Sequence, residues 1–251
     1  MDAYQIAILT VTSFFTSMIT SVAGAGGGAI LLAVLLQFMP PAAAIPFHGS
    51  VQFAANVWRF WLFRKHMEWP IIIRFSILMP LGIAFGVWLF RGMPAALVQV
   101  TIGVFIYGTL AGRFLRPLRA EMLPLWTFIP IGFVAGAMNI VVGIFGPVVG
   151  ALIVRRGIPK ESVVGTMSVF GFLSNALKVA GFTYVGFNIL EYGPALLIMT
   201  PAVLLGTTLG KHVLGRFSEE LFRKVFQALL LILATKLVFY DGLTWALAEF
   251  G

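Results

Sequence analysis

The sequence predicts an all-α integral membrane protein made of two inverted repeats, each a re-entrant or broken helical hairpin followed by three transmembrane helices. Three observations lead there. The 251-residue chain is 60% hydrophobic and 10% charged, with a mean hydropathy of +0.99, more apolar surface than a soluble domain buries. Apolar stretches of about 20 residues, enough to cross a hydrocarbon core of about 30 Å, alternate with short polar clusters at 64–68, 113–121, 155–161 and 211–224. Finally, a shift of 119 positions pairs Phe14 with Phe133, Gly24 with Gly143, Gly27 with Gly146, Pro40 with Pro159, Phe53 with Phe172 and Asn56 with Asn175, without a gap.

The first repeat, 1–119, opens with a long apolar segment at 4–39 that is broken at 24–28. Spans at 45–63, 70–90 and 94–112 follow. The second repeat, 120–251, opens with a segment at 126–156 broken at 143–147, followed by spans at 160–184, 190–210 and 220–240. Pro80 and Pro201 fall in corresponding third spans. Glycine, lacking a Cβ, lets a helix unwind, and proline, lacking an amide hydrogen, suits the first turn of a new one. Each break therefore creates a helix N-terminus inside the membrane, with free N–H groups and about half a positive charge. Lipid tolerates such an end only where it faces protein, water or an anion. Close helix packing is the competing use of these glycines.

Cytoplasmic loops carry the excess of Lys and Arg, so the basic residues test the topology. If both broken segments cross once, nine fall on one side and eight on the other. If the second enters and returns to the same face, fourteen share one side, and only Arg91, Lys178 and Lys236 lie opposite. No basic residue precedes the first segment, so the repeat alone makes it re-entrant as well. One hairpin plus three crossings is an odd number of passes, and the two halves then insert with opposite orientation, as in many secondary transporters. Both chain ends lie outside in this scheme.

The net charge of +8 is spread through short loops rather than gathered on one face, which fits membrane topology and not nucleic-acid binding. With no cysteine, disulfides, thiolate metal sites and cysteine nucleophiles are excluded. The first residues hold Asp2 and no basic residue, so a cleaved signal is not expected. All nine acidic residues fall in loops, span ends or tails. Cation carriers and proton relays place a carboxylate within the membrane, so this distribution favours an anion. No ATP-binding motif, metal site or cofactor motif is present.

The candidate binding residues follow from these points. Gly24, Gly26, Gly27, Gly28, Gly143, Gly146 and Pro147 lie at the two breaks. His48, Ser50, Gln52 and Asn56 enter the span after the first hairpin; Thr166, Ser168, Ser174 and Asn175 enter the span after the second. Asn56 and Asn175 are repeat mates, with interhelical hydrogen bonding as the alternative role; the hydroxyls can instead bond their own helix backbone. Arg59 and Lys178 are also mates, each set inside its span end, where attraction of substrate and snorkelling both account for them.

The run Ala23, Gly24, Ala25, Gly26, Gly27, Gly28, the turn at Pro40, the polar cluster after it and a degenerate second copy ending in Lys178 resemble the sulfite exporter TauE/SafE family. The second copy departs from the glycine-rich form at Ile144, Phe145 and Pro147. The resemblance implies a multi-pass protein of the bacterial cytoplasmic membrane that moves sulfite, a sulfonate or another small anion, usually outward. Its partners are then that anion and the bilayer, with a homodimer left open. Alternatives are an anion channel of the same fold, or an intramembrane enzyme using His48 and a nearby serine.

Overall fold

The computed structural model describes residues 1–23, 27–111, 123–143, 146–154, 158–213, 228, 231–232 and 234–241, and every regular element among them is helical. The first half runs α1 (Ala3–Ala23), α2 (Gly27–Leu35), α3 (Pro41–Phe63), α4 (Trp69–Arg91) and α5 (Ala95–Ala111). A 3₁₀ turn at Leu125–Thr127 leads into α6 (Phe128–Val141), α7 (Gly146–Val154) and α8 (Lys160–Tyr184). A second 3₁₀ turn, Ile189–Tyr192, precedes α9 (Gly193–Val213), and a π-helical stretch occupies Lys236–Asp241. Gly24, Gly26, Arg113, Arg116 and Arg119 lie outside the described residues, as does most of the span expected at 220–240.

Among the described residues four stretches are long and apolar enough to cross a membrane: Ala3–Ser21, Trp69–Arg91, Glu161–Tyr184 and Ile189–His212. The face that α4 turns outward carries Trp69, Ile73, Ile77, Leu81, Phe85 and Trp88, one residue per turn. Such a stripe is penalised in water and at rest in lipid. Prolines punctuate the starts: Pro41 stands at the first turn of α3 and Pro70 at that of α4, where a missing N–H costs no intrahelical bond.

The helices on either side of each break differ in length. At 1.5 Å per residue, α1 is about 31 Å long and α2 about 14 Å; α6 and α7 are about 21 and 14 Å. The tip of α1 reaches the level of Arg59, whose Nε lies 3.4 Å from Ser21 Oγ. The first turn of α2 sits beside Gln52 and His48: a Cβ added at Gly28 would stand 3.1 Å from Gln52 Nε2 and 3.2 Å from His48 Nε2. The first hairpin thus descends along α3 nearly to its far end and returns to its beginning.

Three helix pairs build the core: α4 with α6, α1 with α9, and α3 with α8. Exchange of the halves turns the first pair into the second and leaves the third unchanged. The close approaches repeat as well. A Cβ on Gly82 would collide with the Phe133 carbonyl, and one on Gly86 would stand 2.8 Å from that of Ala137. In the other pair, Gly206 abuts the Phe14 carbonyl and Gly210 that of Met18. Phe14 and Met18 map onto Phe133 and Ala137 by the shift of 119. These pairs, joined by Gly132 and Gly136 against Phe75 and Met79, are small-xxx-small contacts that let membrane helices touch backbone to backbone. They align Gly82 with Gly206 at a shift of 124, so Pro80 and Pro201 lie in corresponding helices but three residues out of register.

Order along the contacts gives direction. Across α3 and α8, Gly49 meets Lys178, Asn56 meets Gly171, and the Phe63 carbonyl meets Gly165; one helix ascends as the other descends. In α4 with α6 and in α1 with α9, the partners ascend together.

Candidate functional site

A cavity of about 120 Å³ lies where the hairpin breaks meet the middles of α3 and α8. It has room for several waters or one small anion. Its polar wall comes from Thr20 on α1, His48, Gln52, Asn56 and Arg59 on α3, Asn139 on α6, and Ser174 and Asn175 on α8. Gly28 of α2 and Gly146 of α7 bring both short-helix N-termini to it, and Gly143 contributes the second break. Phe75 and Phe170, stacked with ring centroids 3.9 Å apart, belong to the apolar side with Met79 and Met167.

Helical spacing explains the lining. On α3 the positions 48, 52, 56 and 59 recur every three to four residues and share one face. On α8 the lining residues at 167, 170, 171, 174 and 175 do the same. Ser50, Thr166 and Ser168 fall off those stripes and do not line the cavity. Ser50 Oγ donates to the Pro46 carbonyl at 3.0 Å, and Ser168 Oγ to the Gly165 carbonyl at 2.6 Å. Thr166 Oγ1 accepts the Glu68 amide at 3.0 Å, so it ties α8 to the start of α4.

The repeat-mate asparagines begin alike. Asn56 Nδ2 donates to the Gln52 carbonyl at 2.8 Å and Asn175 Nδ2 to the Gly171 carbonyl at 2.7 Å, each four residues back. Their oxygens differ: Asn56 Oδ1 accepts from Arg59 Nη1 at 2.8 Å, whereas Asn175 Oδ1 is buried without a partner. Lys178, fully buried, sends Nζ instead to the Gly143 carbonyl at 3.2 Å. Gly143 has φ of +75°, the left-handed conformation that glycine adopts without a Cβ penalty, and it abuts the Leu32 side chain of the other hairpin. Lys178 is absent from the cavity lining, while Arg59 is part of it.

Several donors in the wall are idle. Arg59 is 2% exposed, and its Nη2 has no partner; Asn139 Nδ2 has none either. The Gly28 backbone lies beside the His48 ring, but neither ring nitrogen makes a well-formed hydrogen bond. Among the described residues no Asp or Glu is buried, and none of their His, Asp and Glu side chains group as a metal site. Gly24, Gly26 and the Pro147 side chain lie outside the description; Gly27 is buried against the Thr16 carbonyl as a packing contact.

Thr20 and Asn139 are the polar lining residues beyond the sequence-predicted candidates. They are repeat mates at the shift of 119, each a few residues before its break, and that pairing is the signal that finds them.

Fold and cavity together define an integral membrane protein of bundled helices around a cavity with several polar side chains in its wall. The family model for the sulfite exporter TauE/SafE matches residues 9–237, and the chain belongs to that family, a family of membrane transporters. No curated protein and no solved structure matches it.

Proposed function

We propose that this chain is a secondary transporter that carries a small oxyanion, such as sulfite or an organosulfonate, outward across the bacterial cytoplasmic membrane by alternating access. The observation that carries the reading is Arg59. Its guanidinium stays charged at any physiological pH, is 2% exposed, lines the cavity and has an idle nitrogen, with no buried carboxylate among the described residues. A buried charge without a counter-charge is costly; an anion in the cavity supplies one. The N-termini of α2 and α7 at the cavity add partial positive charge from two sides.

Inverted insertion of the halves accounts for the helix directions. Repeat mates α3 and α8 run antiparallel, and each half's first helix runs parallel to the other half's fourth, as a two-fold axis in the membrane plane requires. The domain boundary near 119 and the hairpin-plus-three arrangement rest on the same support. Rocking of one half against the other about the α3 and α8 crossing then opens the cavity to one face at a time.

Flux into proteoliposomes tests the proposal. Saturable uptake of sulfite, with trans-acceleration by unlabelled sulfite, is the expected result. Linear, non-saturating conductance identifies a channel, and absence of flux with both sulfite and sulfonates overturns the anion reading.

A further inference from the structure

We infer that the transported anion also carries a hydrogen-bond donor, a hydroxyl or an amine, and that Asn175 Oδ1 is the group that reads it. The inference deepens the proposed anion site and rests on it. Asn175 is 6% exposed and lines the cavity. Its amide orientation is fixed by the bond from Nδ2 to the Gly171 carbonyl at 2.7 Å, because a flipped amide would set oxygen against oxygen. The atom left over is an acceptor, buried and unpartnered.

An oxyanion offers acceptors alone. Bound in the cavity it can pair with the unpartnered donors Arg59 Nη2 and Asn139 Nδ2, but it has nothing to give Asn175 Oδ1. The repeat mate shows what satisfaction looks like: Asn56 Oδ1 takes a hydrogen bond from Arg59. On α8 the corresponding base, Lys178, is engaged with Gly143 instead, so no side chain plays towards Asn175 Oδ1 the part that Arg59 plays towards Asn56, and a donor on the ligand fills it. The two ends of the site are neighbours, since Gly171, whose carbonyl holds Asn175, packs directly against the Asn56 side chain. His48 is compatible with the same chemistry, because it lines the cavity, both ring nitrogens lack a partner, and a neutral imidazole has one donor and one acceptor. The ligand class is a short hydroxy- or amino-substituted sulfonate.

A matched pair tests this with purified protein in detergent: 2-hydroxyethanesulfonate against propane-1-sulfonate, alike in charge and length and differing by a hydroxyl for a methyl. Wild-type protein is expected to bind the hydroxysulfonate at least about tenfold more tightly by thermal-shift titration, since a site built to pair a hydroxyl rejects the analogue lacking it. Asn175→Leu is expected to bring that ratio to about one. Equal binding of the pair by wild-type protein overturns the inference while leaving the anion site standing, and this arm needs no variant to fold. Persistence of the preference in Asn175→Leu overturns the role given to that residue. Binding of neither sulfonate, with none of sulfite, overturns the anion site and the inference together.

Discussion

Replacement of Arg59 by methionine separates the anion site from ordinary packing. The guanidinium makes one good hydrogen bond within the protein, to Asn56 at 2.8 Å, and one long one, to Ser21 at 3.4 Å. Charge-assisted bonds contribute about 1.5–3 kcal/mol each when well formed, so the pair offsets roughly 3–4 kcal/mol. Desolvation of a buried ion costs several kcal/mol. The balance makes the empty site close to neutral or strained, and Arg59→Met is expected to change stability without ligand by no more than about 2 kcal/mol, towards greater stability. Anion binding responds in the opposite sense. Loss of one partner from a buried charge pair costs about 2–5 kcal/mol, a fall in affinity of roughly thirtyfold to a few thousandfold at about 1.4 kcal/mol per tenfold. The assay is thermal unfolding with and without sulfite, where native-state ligand raises the midpoint. A variant that melts several degrees lower when empty yet keeps the full sulfite-induced shift refutes the reasoning and makes Arg59 a structural strut.

Three further outcomes follow from the packing and the topology. Gly82→Leu drives a side chain into the Phe133 carbonyl and is expected to destabilise by about 1–3 kcal/mol, while Gly108→Ala, where an added Cβ meets nothing, is neutral or stabilising by up to about 1 kcal/mol; thermal melts of the two compare them directly. Thr166→Val removes the acceptor for the Glu68 amide and should cost about 1 kcal/mol with sulfite affinity unchanged, because Thr166 lies off the cavity. The chain has no native cysteine, so single cysteines report sidedness cleanly. An impermeant thiol reagent applied outside intact cells is expected to label Gly92→Cys and Tyr184→Cys and to spare Lys65→Cys; labelling of positions 65 and 184 from the same side breaks the inverted scheme.

The helical membrane class was legible because composition and span length are properties of the sequence alone. The packing partners were not. Which of ten apolar segments touch is decided by a few residues that permit close approach, and their spacing was present all along in Gly82 with Gly86, Gly132 with Gly136 and Gly206 with Gly210. Glycines in runs mark the breaks, whereas glycines at intervals of four mark the helix contacts. The cavity was legible in part: the stripe of 48, 52, 56 and 59 declares itself as polarity within an apolar span. Ser50, Thr166 and Ser168 attracted attention by residue type, but helical phase puts them on other faces, where their hydroxyls bond backbone. Asn139 stood alone in apolar sequence, and only its pairing with Thr20 sets it apart.

The sequence repeat at a shift of 119 does not carry the same chemistry in both copies. Exchange of the repeats carries His48 onto Met167, Gln52 onto Gly171 and Arg59 onto Lys178, so each polar or bulky group on α3 meets a smaller, softer or differently bonded one on α8. Geometry demands part of this. A two-fold crossing of α3 and α8 brings Asn56 onto Gly171 and, by symmetry, Asn175 towards Gln52. A Cβ at Gly171 would stand 2.5 Å from Asn56 Cγ, so a second glutamine there would not fit, and the cavity exists because one of the two mates gave up its side chain. The consequence is a site with direction: Arg59 and Asn56 are bound to each other on one side, while Asn175 keeps an open acceptor and Lys178 holds the Gly143 turn on the other. A ligand with one anionic end and one donor end, as proposed above, matches that polarity in a single orientation.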